Sequence, residues 1–182
     1  MAPTLGVMEL IFPSASVIVV AGVPGAGKTT LLRRAVDRTQ ATVVDTDDRT
    51  RRGPLLYLGH YARIAAAVAL GRPAVIHSRG TKTIARRTIL TLAKLRGRPA
   101  HLVLLHTDRA TAEAGQRARG RTVPAGEMDR QVADWQGLLA QGGLHEEGWA
   151  TVELLTREQA ATVTALRFAP AYAPAAGSPI AV

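Results

Sequence analysis

The chain has 182 residues, of which 47% are apolar and 20% charged, so it is long enough for one domain with a real core. That balance excludes disorder of the whole chain, and the absence of Cys excludes a disulfide framework, a thiol nucleophile and any Cys-ligated zinc or iron–sulfur site. A formal net charge of +9 favours an anionic partner, while an aromatic content of 4% argues against a base-stacking platform.

Residues 1–15 read as a weakly structured lead-in with an edge strand near Leu10–Phe12. They lack the basic region of a secretory signal, and Pro13 interrupts their apolar stretch. The run Ser16–Ala21 (SVIVVA) is too short to span a bilayer, which takes roughly 20 apolar residues. The expectation is a cytoplasmic protein without membrane contact. Ser16–Ala21 itself has the pattern of a strand buried on both faces. A Gly-rich turn follows, then a helix over 27–38 and a short strand, Ala41–Asp45. Residues 46–54 are polar and Arg-rich and end in Gly53-Pro54, a loop signal.

Leu55–Leu70 reads as helix, stopped by Gly71-Arg72-Pro73, and Ala74–His77 as the third strand. Thr83–Arg96 is helical by its apolar spacing and is stopped by Gly97 and Pro99. His101–His106 is a fourth strand, and Asp108 is placed to cap a helix running to Arg119. After a loop at 120–126, Met128, Val132, Trp135 and Leu139 form an apolar helical stripe over 127–140. Thr151–Leu155 is the fifth strand and 157–167 the last helix; 168–182, with three prolines and no charge, read as a disordered tail. Strands alternating with helices predict an α/β fold, a parallel sheet with right-handed crossovers and helices on both faces.

The chemistry concentrates in Gly22-Val23-Pro24-Gly25-Ala26-Gly27-Lys28-Thr29, which fits G-x-x-x-x-G-K-[ST]. Its glycines allow the backbone N–H groups to turn inward onto phosphate oxygens, and the following helix adds its positive dipole end. Lys28 is placed to reach the β- and γ-phosphates and the Thr29 hydroxyl to ligate Mg²⁺. Strand before and helix after are the context this motif requires. The expected ligands are a nucleoside triphosphate and Mg²⁺.

GVPGAGKTT followed by VVDTDDR resembles the small P-loop kinases, the polynucleotide-kinase-like, shikimate-kinase-like and chloramphenicol-phosphotransferase-like proteins often filed as AAA family ATPases. The resemblance covers most of 16–167 and implies a three-layer P-loop NTPase fold, a five-stranded parallel sheet with an Arg-bearing lid over about 117–126. It implies ATP as the nucleotide; no N-K-x-D-type guanine-reading segment is present. It extends the nucleotide contacts to Thr30 and to Arg117. It places a carboxylate at the end of the second strand against the acceptor, where Asp45, Asp47 and Asp48 cluster. Asp45 and Asp47 alternate along an extended chain and share a face. Asp47 is assigned as the base for the acceptor hydroxyl and Asp45 as a substrate or Mg²⁺-side group; a solvated acidic turn is the alternative. In the lid, Arg117, Arg119 and Arg121 fit the place of charge-neutralising guanidiniums, Arg117 and Arg121 being assigned to catalysis. Thr156-Arg157-Glu158 falls where these folds line the adenine.

The third strand ends in Ile76-His77-Ser78-Arg79, where many P-loop NTPases carry an acidic Mg²⁺-holding residue. That departure argues against a motor-type ATPase. It makes His77, Arg79 and Arg87 candidates for acceptor contact at the ligand edge of the sheet, with the pair Arg86-Arg87 read either as an anion site or as a solvated helix face. Residues 49–121 carry 16 basic residues against two acids, Asp108 and Glu113, a net of +14 within a chain of +9. The expected activity is a kinase that phosphorylates a small molecule or a nucleic-acid end, an anionic acceptor favoured, as monomer or homodimer. The alternative is a regulatory NTPase without an acceptor.

Overall fold

The computed structural model describes residues 6–45, 54–120 and 123–170. In chain order the elements are β1 (Met8–Pro13), β2 (Val17–Ala21), α1 (Lys28–Ala35), β3 (Thr42–Val44), α2 (Pro54–Ala69), β4 (Ala74–His77) and α3 (Thr83–Leu95). They continue with β5 (Ala100–His106), α4 (Arg109–Arg117), α5 (Ala125–Ala140), α6 (Gly143–Glu146), β6 (Thr151–Thr156), α7 (Arg157–Thr162) and β7 (Val163–Ala169).

All five residues of β2 are 0% exposed. Such a strand needs cover on both faces and a partner on both edges. It pairs in parallel with β4 on one side (Val20 opposite His77) and with β5 on the other (Val20 opposite Val103). β3 joins β4 and β6 joins β5, so the sheet runs β3-β4-β2-β5-β6, every pairing parallel. β4 and the first six residues of β5 are buried throughout, as helices on the faces of a parallel sheet require. Met128 and Trp135 of the α5 stripe are in the core. The α/β reading of the sequence therefore holds, with its five central strands and the first of them in the middle.

The two ends of the described chain differ from the sequence reading. The expected helix over 157–167 ends at Thr162, and Val163–Ala169 continues as a strand paired in parallel with β1. The reason is visible in VTALRFA. Val163 and Leu166 are buried while Thr164 and Arg167 are exposed, and the segment gains a hydrogen-bonding partner that a local reading cannot supply. β1 is correspondingly longer than the edge strand expected near Leu10–Phe12, and β7 takes residues 168–169 out of the expected tail. This two-stranded ribbon packs along α1, where the Arg34 side chain donates to the carbonyls of Ala160 and Val163. Residues 171–182 lie outside the described residues. Among the described residues no helix is long and apolar enough to cross a membrane.

At the edge of the sheet opposite its C-terminal ends, Arg98 is 7% exposed. Its guanidinium donates to the carbonyls of Ala15 (2.7 Å), Ser16 (3.3 Å), Ala67 (3.3 Å), Val68 and Arg72. Five donors meet five carbonyls, which suits the planar guanidinium fork. The contact closes the last turn of α2, ties it to the start of β2, and burial pushes the Arg98 pKa below its ordinary value. Arg98→Met removes this donor from all five carbonyls, of which that of Ser16 keeps the Ala74 N–H, and is expected to lower unfolding stability by about 3 kcal/mol. Urea unfolding checks this; an unchanged midpoint would remove Arg98 from the framework.

Candidate active site

The turn from β2 to α1 opens upward at the C-terminal edge of the sheet. Gly25 sits at φ 87°, and a Cβ there would lie 2.0 Å from the Ala112 carbonyl oxygen of α4. Only glycine meets both demands. The approach is reciprocal, because a Cβ on Gly115 would lie 2.4 Å from the Gly25 carbonyl oxygen. The backbone of α4 therefore forms one wall of the loop. At the start of α1, Gly27 supplies no side-chain cap and the first turn holds no acid. Its N–H groups and positive dipole end suit an anion. Lys28 and Thr29 are 6% and 7% exposed. The Lys28 ammonium donates to the carbonyls of Gly22 (2.7 Å) and Val23 (2.8 Å), which holds it at the mouth of its own loop.

Beside this loop lies a second buried polar group. His77 ends β4 and Asp45 follows β3 on the neighbouring strand; they are 4% and 7% exposed. Their contact, His77 Nδ1 to Asp45 Oδ1, is 2.5 Å. An ionised carboxylate can only accept, so the ring nitrogen donates. Arg63 of α2 reaches the Asp45 main-chain carbonyl at 3.5 Å. The sequence nominated both residues for this edge, and the fold brings them into contact. The other acids of that turn, Asp47 and Asp48, lie outside the described residues, as does Arg121.

The arginines sort differently from the sequence reading. Arg86, half of the pair read as an anion site or solvated face, is 1% exposed and fully engaged. It donates to the carbonyls of Gly80 (2.6 Å) and Thr81 (2.9 Å) and to the Glu147 carboxylate at 2.5–3.1 Å, leaving no face for a ligand. Arg87, one residue on, is exposed. Arg79 is exposed and donates to Glu127 of α5 at 2.9 Å. Arg117 is exposed and lies 3.8 Å from Glu113 of its own helix, whereas Arg119 reaches the Thr30 hydroxyl on α1 at 3.0 Å. Arg119 rather than Arg117 thus joins the α4 end to the loop's helix.

The cap predicted at Asp108 is present. Hydrogen bonds from the Thr111 backbone and side chain hold its carboxyl below the usual range. Thr156 closes a capping box with Gln159, and Arg157 donates to the Thr111 carbonyl at 3.0 Å. The segment expected to line an adenine therefore also fixes α4 in place. Sequence reasoning missed Gly115. A lone Gly inside a predicted helix was its only mark, and that mark has a packing cause here.

A strand–glycine loop–helix unit at the centre of a five-stranded parallel sheet, with its lysine and threonine buried at the loop, defines a P-loop NTPase fold. The chain belongs to the AAA domain family, whose model matches residues 17–138. No curated protein sequence matches it. Among solved structures it resembles a gluconokinase from Sinorhizobium meliloti 1021 (TM-score 0.61, 16% identity, covering 84% of this chain and 91% of that one). It also resembles a protein of the PezAT chromosomal toxin–antitoxin system of Streptococcus pneumoniae (TM-score 0.56, 15% identity, 83% and 71% covered). A putative kinase from Chloroflexus aurantiacus is similar as well (TM-score 0.54, 12% identity, 79% and 89% covered). At these identities the likeness is one of fold.

Two outcomes follow from this packing. Gly115→Ala forces α4 away from Gly25 and is expected to weaken ADP binding by about tenfold, with a stability loss of about 1–3 kcal/mol; calorimetric titration with ADP measures it. Glu147 is the second case. Burial opposes its ionisation, but hydrogen bonds from Arg86 and Trp149 and the charge of Arg86 hold its pKa below 4.5. A depressed carboxyl stabilises the fold above its unfolded value, and that contribution is lost as pH falls through the folded one. Glu147→Gln should therefore flatten the acid limb of stability against pH. Arg86→Met, which takes the ion-pair partner from the partly buried Glu147 carboxylate and leaves it the Trp149 N–H, should cost about 3 kcal/mol while Arg87→Glu costs little. Equal effects of the two arginine substitutions in urea unfolding would contradict the assignment.

Proposed function

We propose that this chain is an ATP-dependent phosphotransferase that moves the γ-phosphoryl group to a hydroxyl of a small molecule or a nucleic-acid end. The observation that carries it is one of placement. The phosphate loop on β2 and the buried Asp45–His77 pair on β3 and β4 share one edge of the sheet. A hydrolase would share the loop and a metal-side carboxylate; the exposed Arg79 and Arg87 on the β4–α3 side add a surface suited to an acceptor. The family and the kinase folds among its structural neighbours support the same reading.

In the transfer, the acceptor oxygen attacks the γ-phosphorus as the bond to the β–γ bridging oxygen breaks and ADP leaves. The hydroxyl proton passes to a carboxylate, assigned to Asp47. The protein's share is mostly positioning and charge neutralisation. Residues 22–30, apart from Pro24, which has no N–H, hold the phosphates through backbone N–H groups, and Lys28 exchanges its carbonyl partners for phosphate oxygen. Arg117, Arg119 and Arg121, in a lid over about 117–126, offset the charge of the transferring group and exclude water on closure. Arg79 and Arg87, both exposed on the β4–α3 side, suit an anionic acceptor. Arg86 no longer counts toward it.

Mg²⁺ fits the donors present. The Thr29 hydroxyl and the Asp45 carboxylate are hard oxygen ligands at the same edge, and the described residues contain no cluster of three or more His, Asp or Glu that would cage a metal without phosphate. When bound, Mg²⁺ neutralises phosphate charge.

Lys28→Ala is expected to abolish transfer without unfolding the chain. Asp47→Asn should lower kcat by about 10²–10⁴ with ATP binding kept. The test is γ-labelled ATP offered to a panel of hydroxyl acceptors, phosphorylated sugars and nucleic-acid ends included, with water as control. Labelled acceptor supports the kinase; phosphate release alone, whatever the acceptor, supports the hydrolase.

A further inference from the structure

Many P-loop NTPases carry a carboxylate where β4 ends, and this chain has His77 there. The acid is one strand away, on Asp45, and the imidazole touches it. We infer that His77 is a positioning residue: its Nδ1–H holds the Asp45 carboxylate, so that an acid just after β3 serves the metal side of the nucleotide in place of one at the end of β4. The inference deepens the proposed function and rests on its assignment of Asp45 to the Mg²⁺ side.

Three observations lead there. The contact is specific, a single ring nitrogen at 2.5 Å from a single carboxylate oxygen. It is also the one hydrogen bond the ring makes among the described residues. Both residues are buried, at 4% and 7% exposed, so the hydrogen bond is made out of reach of bulk water. Finally, register places the pair beside the loop. His77 lies opposite Val20, two residues before the loop begins at Gly22, and the Ser78 N–H donates to the Val20 carbonyl at 3.0 Å. One anchored oxygen leaves the other directed, as outer hydrogen bonds do for metal ligands generally.

The test uses geometry that distinguishes the two ring nitrogens. The amide nitrogen of Asn is attached where Nδ1 is, and that of Gln reaches where Nε2 is. The readout is the gain in ADP affinity on adding Mg²⁺, measured by calorimetry in the wild-type chain, His77→Asn, His77→Gln and Asp45→Asn. The expected result is that His77→Asn retains most of the gain, while His77→Gln and Asp45→Asn lose about tenfold of it, the low end of what an outer partner of a metal ligand contributes. A full gain in His77→Gln would overturn the positioning role and leave the metal assignment intact. A full gain in Asp45→Asn would overturn the metal assignment itself. Equal loss in both His77 variants would refute action through Nδ1. Imidazole nitrogen NMR of the wild-type chain gives a check independent of any variant. Nδ1 should carry the proton, and an Nδ1 without one would overturn the inference.

Discussion

The phosphate loop is shaped by a close approach between two backbones. Gly25 and Gly115 meet with no room for a Cβ on either side, so α4 stands against the loop as a rigid wall. A loop of this kind binds phosphate only if its N–H groups are already aimed, because ordering them on binding would cost affinity. The wall is in turn fixed from two directions. Asp108 caps the start of α4, and Arg157 reaches across from the start of α7 to the carbonyl of Thr111. The site is therefore assembled from elements distant in sequence that share one contact.

The same logic separates the basic residues. Composition alone treats an arginine as a charge looking for an anion. Arg98 spends its guanidinium on five main-chain carbonyls, and Arg86 on Glu147 and the turn after β4. Arg34 holds the terminal ribbon through two more carbonyls. These guanidiniums act as multi-pronged donors inside the framework, which an ammonium could not match. The strong positive balance of 49–121 overstates the charge available to a ligand, because part of it is buried as joinery.

The central sheet and its loop were legible in the sequence because their signals are local. A continuous apolar run reads as a doubly covered strand, and the glycine spacing before Lys28 has one physical use. The pairing of Asp45 with His77 was half legible: both were named for the same edge, yet their contact depends on β3 and β4 being neighbours in the sheet. Gly115 was illegible, and Arg119 was named for the lid but not for its contact with Thr30, since each acts through a partner more than 80 positions away. The terminal error has the same origin. Val163–Ala169 fits a helix as well as a strand until β1 is placed beside it.

That last pairing has a consequence for how the chain comes into being. Met8 faces Val163 and Pro13 faces Ala169, a separation of some 155 residues. Closure entropy makes such a contact slow to form on its own, so the ribbon closes once the domain between its ends is in place. During synthesis β1 emerges first and waits for its partner until nearly all of the described chain has left the ribosome. Until then its apolar Leu10, Ile11 and Phe12 have an open strand edge, a window in which aggregation competes with completion. The ribbon thus works as a latch that cannot fasten before β7 has been made.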